Sequence, residues 1–297
     1  MSVLAQENLV IDKIKFKGNS HFSNSKLKDE ITIESDSWIK EKILKKEAVY
    51  FSNKVYDDDI KRLKILYQKD GYLKVSFGQP KIVVNKKNKV EISVFVLEGE
   101  PVLISEITLL IDSTKSLQEV LGLRDEKRLQ LKTRATKTKI FRDEAITSDR
   151  LLIAETFYDK GYPYALVVPR IEVDTFTNSS EVKWMVDRGP LSYFGTTVVK
   201  GNSRVPLKSI KRQLAYQKGD VWSKEKIDQT QKQIYNQGNY RVASVRTQIK
   251  PEKVDTLTMQ IQINEAPRWT SRFGVGYGIE DKFRAFTDLQ YLSFITN

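Results

Sequence analysis

The first residues that suggest chemistry are the glycines of the stretch GVGYG, Gly274 to Gly278. A glycine-rich loop binds phosphate when it follows a strand and opens a helix in a βαβ unit. Here Phe273, Val275 and Tyr277 occupy every second position, so the alternation of a strand continues through the glycines. The stretch therefore predicts a strand rather than a nucleotide-binding loop.

One histidine and one acidic run are the remaining candidates for catalysis or metal binding. His21 is the single histidine and the chain has no cysteine, so neither a catalytic pair nor a cysteine-ligated zinc site can form around it. We interpret His21 as a surface residue of a turn. We interpret the run Asp57 to Asp59 as helix-start acids that complement the helix dipole. The sequence thus predicts no catalytic residues, no metal ligands and no cofactor, and hence no enzyme.

The segment from Lys127 to Arg142 is highly basic, in a chain whose formal net charge is +12. Such a surplus of positive charge favours binding to anionic surfaces in general. A solvated helix or loop face is the simplest interpretation, and contact with acidic lipid headgroups or an acidic partner is the alternative hypothesis. The residues predicted to make that contact are Lys132, Arg134, Lys137 and Lys139.

Length and composition predict folded domains. The chain has 297 residues, of which 40% are hydrophobic and 30% charged, which suits two or three compact domains. No stretch approaches the ~20 consecutive apolar residues of a spanning helix. Residues 1–8, MSVLAQEN, are predicted to be a disordered terminus or the remnant of an export signal, because an apolar run and a small residue precede Gln6.

Two markers recur along the chain and predict an internal repeat. One is a glycine followed by tyrosine, directly or after one residue, behind a helical segment; the other is a proline that closes each unit. The two markers advance by nearly the same steps, which indicates three repeats of one unit. They are Gly71, Gly161 and Gly238, and Pro101, Pro190 and Pro267.

Each unit shows the same order of hydrophobic periods: strand, helix, helix, strand, strand. The opening strand of the first and third units ends at Gly18-Asn19 and Gly201-Asn202, which predict tight turns. The second helix has an apolar stripe at helical spacing ahead of each marker glycine, and its predicted N-caps are Asp57, Ser148 and Ser223. This order of elements predicts an α+β module, in which two helices cover one face of a small sheet. The stripe consists of Ile60, Leu63, Tyr67, Ile153, Phe157, Ile227 and Ile234.

This order, with its Gly-Tyr and Gly-x-Pro markers, resembles the POTRA domain of the BamA/TamA superfamily of outer-membrane protein insertases and translocases. The resemblance covers about residues 9 to 267 and is strongest between TTVVKGNSRV and MQIQINEAP. It implies module boundaries at 9–100, 101–189 and 190–267, and three modules resemble TamA more than BamA. The second module departs from the pattern, because Thr114 to Asp143 is longer and highly basic.

Two alternating segments after Pro267 predict the first strands of a transmembrane β-barrel, residues 268–297. Trp269 to Tyr277 and Phe283 to Tyr291 each place apolar residues at alternate positions, with a turn near Glu280 between them. An ordinary hairpin of a folded domain is the alternative. Because a barrel needs about eight strands or more, the chain is expected to be a fragment or truncated product.

The resemblance implies a periplasmic scaffold that docks client polypeptides by adding them as strands to exposed sheet edges. It implies the Gram-negative outer membrane as location, with the modules in the periplasm. The implied partners are nascent outer-membrane proteins, periplasmic or inner-membrane proteins and the membrane itself, and no nucleic acid is expected. The implied edge residues are Leu73, Val75, Phe77, Ala165, Val167, Val168, Arg241, Val242 and Val245. The implied lateral seam of the barrel is Phe273, Gly274, Val275, Gly276, Tyr277 and Gly278.

Two other functions stay open at this level. A POTRA-bearing component of polypeptide secretion or cell division would share the same modules. A basic repeat protein that binds nucleic acid is supported by net charge alone, and it would show a steep salt dependence of its affinity.

Overall fold

A computed structural model describes residues 10–33, 53–84, 89–249, 251–278 and 282–291. The predicted export-signal remnant at residues 1–8 and the predicted turn at Glu280 lie outside the described residues. By internal contacts the chain divides into two compact units. The first unit comprises Met1–Thr108, Lys132–Arg150 and Pro169–Trp184, and the second comprises Leu109–Leu131, Leu151–Val168 and Met185–Asn297.

The first sheet is built around one central strand. That strand, β4, pairs in parallel with β1 and antiparallel with β2 and β3, which places the second and third strands of the sequence on the outer side. The described elements are β1 (Val10–Lys17), α1 (Asn24–Asp29), α2 (Asn53–Lys69), β2 (Ser76–Phe77), β3 (Lys81–Val84) and β4 (Lys89–Leu97).

The second sheet repeats the strand order with one strand fewer. Its last strand in sequence, β7, lies between β5 and β6, so that β6 is at an edge. The basic segment forms two short helices before the long one. The elements are β5 (Leu103–Ile111), α3 (Leu117–Leu121), α4 (Leu123–Lys132), α5 (Asp143–Tyr158), β6 (Leu166–Asp174) and β7 (Ser179–Asp187).

The third sheet has the order β8-β10-β9, with β10 parallel to β8 and antiparallel to β9. A separate antiparallel pair, β11 and β12, follows it. The predicted α+β class is confirmed, and the third module has the predicted strand–helix–helix–strand–strand order. The first module divides its second strand into β2 and β3, and the second module has an additional short helix. The elements are β8 (Tyr193–Lys200), α6 (Leu207–Lys211), α7 (Lys224–Tyr235), β9 (Tyr240–Thr247), β10 (Thr256–Glu265), β11 (Trp269–Gly278) and β12 (Lys282–Tyr291).

The periodicity of the sequence explains where the cores form. Along β4, alternate residues from Val90 to Val96 are buried, because successive side chains of a strand face opposite sides of the sheet. Leu63 and Tyr67 of α2 pack against the same core. In the third module Ile227 and Ile234 of α7 do the same. The helical stripe predicted from the sequence is therefore a buried stripe, in which Ile60 alone stays partly exposed.

Two of the three predicted N-caps are wrong. Ser223 does cap α7, where its hydroxyl accepts the Lys226 N–H at 3.3 Å. Ser148 instead lies inside α5, because that helix begins earlier, at Asp143, with two acids in its first turn. Asp57 likewise lies inside α2, which extends back to Asn53.

A buried polar residue on each long helix ties down the segment that follows the short helices. Asp59 accepts the N–H groups of Thr32 and Ile33, each at 2.9 Å. Asp149 accepts those of Arg134 and Ala135, each at 2.8 Å, and Thr230 accepts that of Ala215 at 2.9 Å. Asp59 is thus a buried structural acceptor, and the interpretation of Asp57 to Asp59 as helix-start acids is wrong.

His21 is not the surface residue that the sequence predicts. Its side chain is 15% exposed, and its Nε2 lies 2.7 Å from Oδ2 of Asp70. The ring also packs against Phe22 and Tyr72, with ring centroids 4.4 and 4.5 Å apart. The turn brings it there because Glu98 accepts the N–H groups of both Ser20 and His21.

Candidate functional site

The best defined candidate site is the outer edge of β9. Among the described strands it pairs with β10 alone, with Ile261 opposite Val245 and Gln260 opposite Arg246. The N–H of Gln248 points toward β10, where it donates to the Thr258 carbonyl at 2.9 Å. Because N–H directions alternate along an antiparallel strand, the N–H groups of Ala243, Val245 and Thr247 point away from the sheet.

A groove runs beside this edge. It has a volume of about 530 Å³ and lies between β9 and α7. Its lining is partly charged and partly apolar, and the apolar part includes Tyr158, Trp222 and Ile227. The indole N–H of Trp222 donates to the Thr247 hydroxyl at 3.0 Å, which fixes the ring against the strand. A strand placed along β9 would therefore present alternate side chains to an apolar wall.

One outward N–H of β9 already has a partner. The amide oxygen of Gln231, on the exposed face of α7, accepts the Val245 N–H at 3.1 Å. A backbone N–H is a donor, so the contacting atom of the glutamine must be its oxygen. The sequence-predicted residues of this edge are divided by side-chain direction: Arg241 and Val242 are exposed, and Val245 is buried.

The predicted edge of the first sheet is partly wrong. Phe77 lies in β2, but Leu73 and Val75 precede that strand and belong to the turn after α2. Val75 is buried in the core, and its N–H donates to the Tyr72 carbonyl. The reason is the marker glycine: the chain turns at Gly71 and needs several residues before it becomes extended.

In the second sheet the predicted edge begins one residue early, at Ala165, whereas β6 begins at Leu166. Ala165 precedes β6 and is buried, and its N–H donates to the Tyr162 carbonyl at 3.1 Å. Val167 and Val168 both lie in β6, the first buried in the core and the second 45% exposed. Ala165 is therefore a turn residue and does not belong to the edge strand.

The hairpin of β11 and β12 has one apolar face. The register places Trp269 opposite Tyr291 at one end and Tyr277 opposite Phe283 at the other. Phe273 and Val275 lie between them on the same face, and all are exposed. The opposite face carries the glycines of the predicted seam and a cross-strand ion pair of Arg272 with Asp288 at 2.9 Å.

The predicted anion-contact residues occupy one exposed segment. Lys132 ends α4, and Arg134, Lys137 and Lys139 lie between α4 and α5. Arg134 pairs with Glu144 at 3.0 Å. Arg134 and Lys139 also line an open cavity of 510 Å³ with Arg142. The structure brings two of the four residues together there, and anion contact stays a prediction.

Two functional features escape prediction from the sequence. One is Gln231, which nothing in the period of α7 distinguishes from any other exposed polar residue. The other is a carboxylate that holds the opening turn of a module. Glu265 accepts the N–H groups of Ser203, Arg204 and Val205, and Glu98 occupies the matching place in the first sheet. Each glutamate lies two or three residues before the closing proline, and this proximity is a signal that could have identified them.

The electrostatics of Glu265 follow from these contacts. Burial by itself raises the pKa of this carboxyl group. The three N–H groups and the Arg204 guanidinium, whose Nε lies 2.8 Å from the carboxylate, outweigh burial and lower the pKa to about 2. The carboxylate is thus charged and fully engaged in holding the turn, so its role is structural.

None of the helices in the described residues is both long enough and apolar enough to cross a membrane.

Comparison with known proteins gives a family match. A family model described as "POTRA: Surface antigen variable number repeat" matches residues 9–99 and 192–266. A solved structure of Haemophilus influenzae BamA POTRA3-5 has the same fold: it is 16% identical, covers 86% of this chain and 96% of its own, and superposes with a TM-score of 0.54.

Two curated proteins are similar along most of the chain. The outer membrane protein assembly factor BamA of Nitratidesulfovibrio vulgaris is 22% identical over 292 residues, which are 93% of this chain and 34% of that protein. A putative outer membrane protein assembly factor of Treponema pallidum is 22% identical over 274 residues, which are 90% of this chain and 31% of that protein. The chain therefore spans about a third of the length of these relatives.

Proposed function

Because this chain belongs to the POTRA family, we propose that it is the periplasmic POTRA region of an outer-membrane protein assembly factor and docks client polypeptides by strand addition. The observation that carries the proposal is the position of the second strand of each unit. β2 with β3, β6 and β9 all lie at an outer sheet edge. An edge strand leaves N–H and C=O groups that an extended segment can pair with.

The proposal assigns the modules to residues 9–100, 101–189 and 190–267, with the periplasm of a Gram-negative cell as their location. The clients are nascent outer-membrane proteins, and periplasmic or inner-membrane proteins are the partners. Such docking uses main-chain hydrogen bonds and requires no reaction, so the chain acts without catalysis. The similarity to two assembly factors along at least nine-tenths of this chain supports it.

The hairpin of β11 and β12 supports attachment to the outer membrane. Ten residues of strand at ~3.3 Å each span roughly 30 Å, the thickness of a hydrocarbon core. One face is apolar and has aromatic residues at both ends, as lipid-facing strands of a barrel have. We assign residues 268–297 to the start of a barrel, with Phe273 to Gly278 along its lateral seam, where glycines weaken strand packing.

Proline substitutions at the edges test the docking. Val168→Pro and Val245→Pro each remove an N–H and insert a rigid ring into an edge strand, so both are expected to weaken binding of a peptide that corresponds to one strand of a transmembrane barrel. The measurement is fluorescence anisotropy of the labelled peptide, with circular dichroism to verify folding.

Val168→Thr and Val245→Thr are the matched controls, since threonine keeps the N–H and the β-branched shape. The proposal expects the threonine variants to bind like the wild type and the proline variants to bind several-fold more weakly. Equal affinity of folded proline variants and the wild type would contradict docking at these edges.

A further inference from the structure

In the groove beside β9, Gln231 contacts an edge N–H that the proposed docking of a client would use. The inference from this contact rests on the proposed function. Three N–H groups of β9 point away from the sheet, those of Ala243, Val245 and Thr247. The middle one donates to the amide oxygen of Gln231 at 3.1 Å. An added strand needs these same donors, so Gln231 and the added strand compete for one hydrogen atom.

We infer that Gln231 is a displaceable cap on this edge, and that the occupant which displaces it is an extended polypeptide segment with an apolar or aromatic side chain at its centre. The cap occupies the place that a backbone carbonyl of the added strand would take. It satisfies the edge while no client is bound, and edges left unsatisfied are the usual route to unwanted pairing of sheets.

The nature of the cap makes it displaceable. Gln231 is exposed, so its side-chain amide can exchange the Val245 N–H for water at little cost. The donor itself is held in place, because Val245 is buried and β9 is paired with β10 along its length. The strand therefore keeps its conformation when the glutamine side chain moves away. The Val245 N–H is then already oriented toward a carbonyl of the bound segment.

The lining of the groove defines the preferred segment. Tyr158, Trp222 and Ile227 form the wall that faces the side chains of an added strand. Trp222 is fixed by its bond to Thr247, and Ile227 is part of the module core. A central apolar or aromatic side chain of the segment fills this 530 Å³ space, while neighbouring positions remain in water. A segment without such a side chain is expected to bind more weakly.

Three variants of α7 test the cap. Gln231→Ala removes the acceptor, Gln231→Glu keeps an acceptor at the same place, and Gln229→Ala is the control for alanine in an exposed position of the same helix. The probe is a labelled ten-residue peptide of alternating valine and threonine with a central tryptophan. Gln231→Ala is expected to bind it about threefold to tenfold more tightly than the wild type, as expected for loss of one competing hydrogen bond.

The two other variants should not bind the probe more tightly. A second readout needs no peptide: amide hydrogen exchange by NMR should be faster at Val245 in Gln231→Ala and unchanged in Gln229→Ala. If the peptide binds the wild type and Gln231→Ala with equal affinity, the cap is refuted while docking stands. If no variant binds the peptide, both the docking and the cap fail. Unchanged exchange at Val245 refutes the cap on its own.

Discussion

Single carboxylates and amides determine how the turns and edges of these modules are held. Glu98 and Glu265 each accept backbone N–H groups of an opening turn, and Gln231 accepts one at a sheet edge. These contacts join residues that are far apart in sequence, and no local pattern of apolar residues specifies them. Glu98 lies three residues and Glu265 two residues before the closing proline, whereas Gln231 has no counterpart that sequence position alone reveals.

The charge of Glu265 predicts a pH dependence of stability. Its pKa in the folded state is about 2, below the ordinary value of 4.5. A depressed carboxyl pKa stabilises the folded state fully above pH 4.5, and this stabilisation is lost as the pH falls from 4.5 toward 2. Glu265→Gln should therefore lower the free energy of unfolding at pH 7 by roughly 2 kcal/mol and flatten its decline over that acidic range.

Urea unfolding at a series of pH values measures this dependence. Glu252→Gln is the control, because Glu252 is exposed and its removal should leave the curve near that of the wild type. A Glu265→Gln variant whose stability falls with pH as steeply as the wild type would show that the turn is held by other contacts.

At the scale of helices and strands, hydrophobic periodicity predicts most of the fold. Stripes at helical spacing and strict alternation were sufficient to identify α2, α5, α7, β4 and β10, since burial itself produces those periods. Element ends were less predictable. Ser148 has the chemistry of a cap, yet α5 starts at Asp143. Leu73, Val75 and Ala165 belong to turns, because the chain must reverse its direction between the long helix and the next strand.

The two marker glycines Gly161 and Gly238 look alike in sequence but differ in their surroundings. Both have positive φ, +95° and +72°, so alanine strains the backbone at either place by about 1 to 2 kcal/mol. At Gly161 a Cβ would also lie 2.6 Å from Leu191 and 2.7 Å from Val221, while nothing lies within 4 Å at Gly238.

Gly161→Ala is therefore expected to cost about 1 kcal/mol more than Gly238→Ala, because Leu191 and Val221, both exposed, must shift to admit the new methyl group. The free energy of unfolding in urea gives both values. Equal costs would mean that Leu191 and Val221 move aside freely and that the close packing at this marker is unimportant.

For the molecule as a whole, one strand order is repeated in three sheets of a single chain. Each sheet has its second strand at an edge, so the proposed docking sites follow one another along the sequence. A client that paired with more than one of these edges would bind with a higher overall affinity, because its second pairing would be intramolecular. Because main-chain pairing tolerates many side chains, we expect these edges to select clients only loosely, beyond the apolar or aromatic residue that the groove beside β9 favours.

Disulfide cross-linking to a client strand tests the central claim most directly, since the chain has no native cysteine. One cysteine replaces Val242, which is 52% exposed on β9, and single cysteines are placed at successive positions of a nascent outer-membrane protein strand. A disulfide forms only when the two Cα atoms come within roughly 7 Å. A cysteine at the exposed Lys211 of α6 is the control. Strand addition predicts cross-linking at every second client position from Val242→Cys and little from Lys211→Cys; a flat profile, or equal yields from both sites, would contradict it.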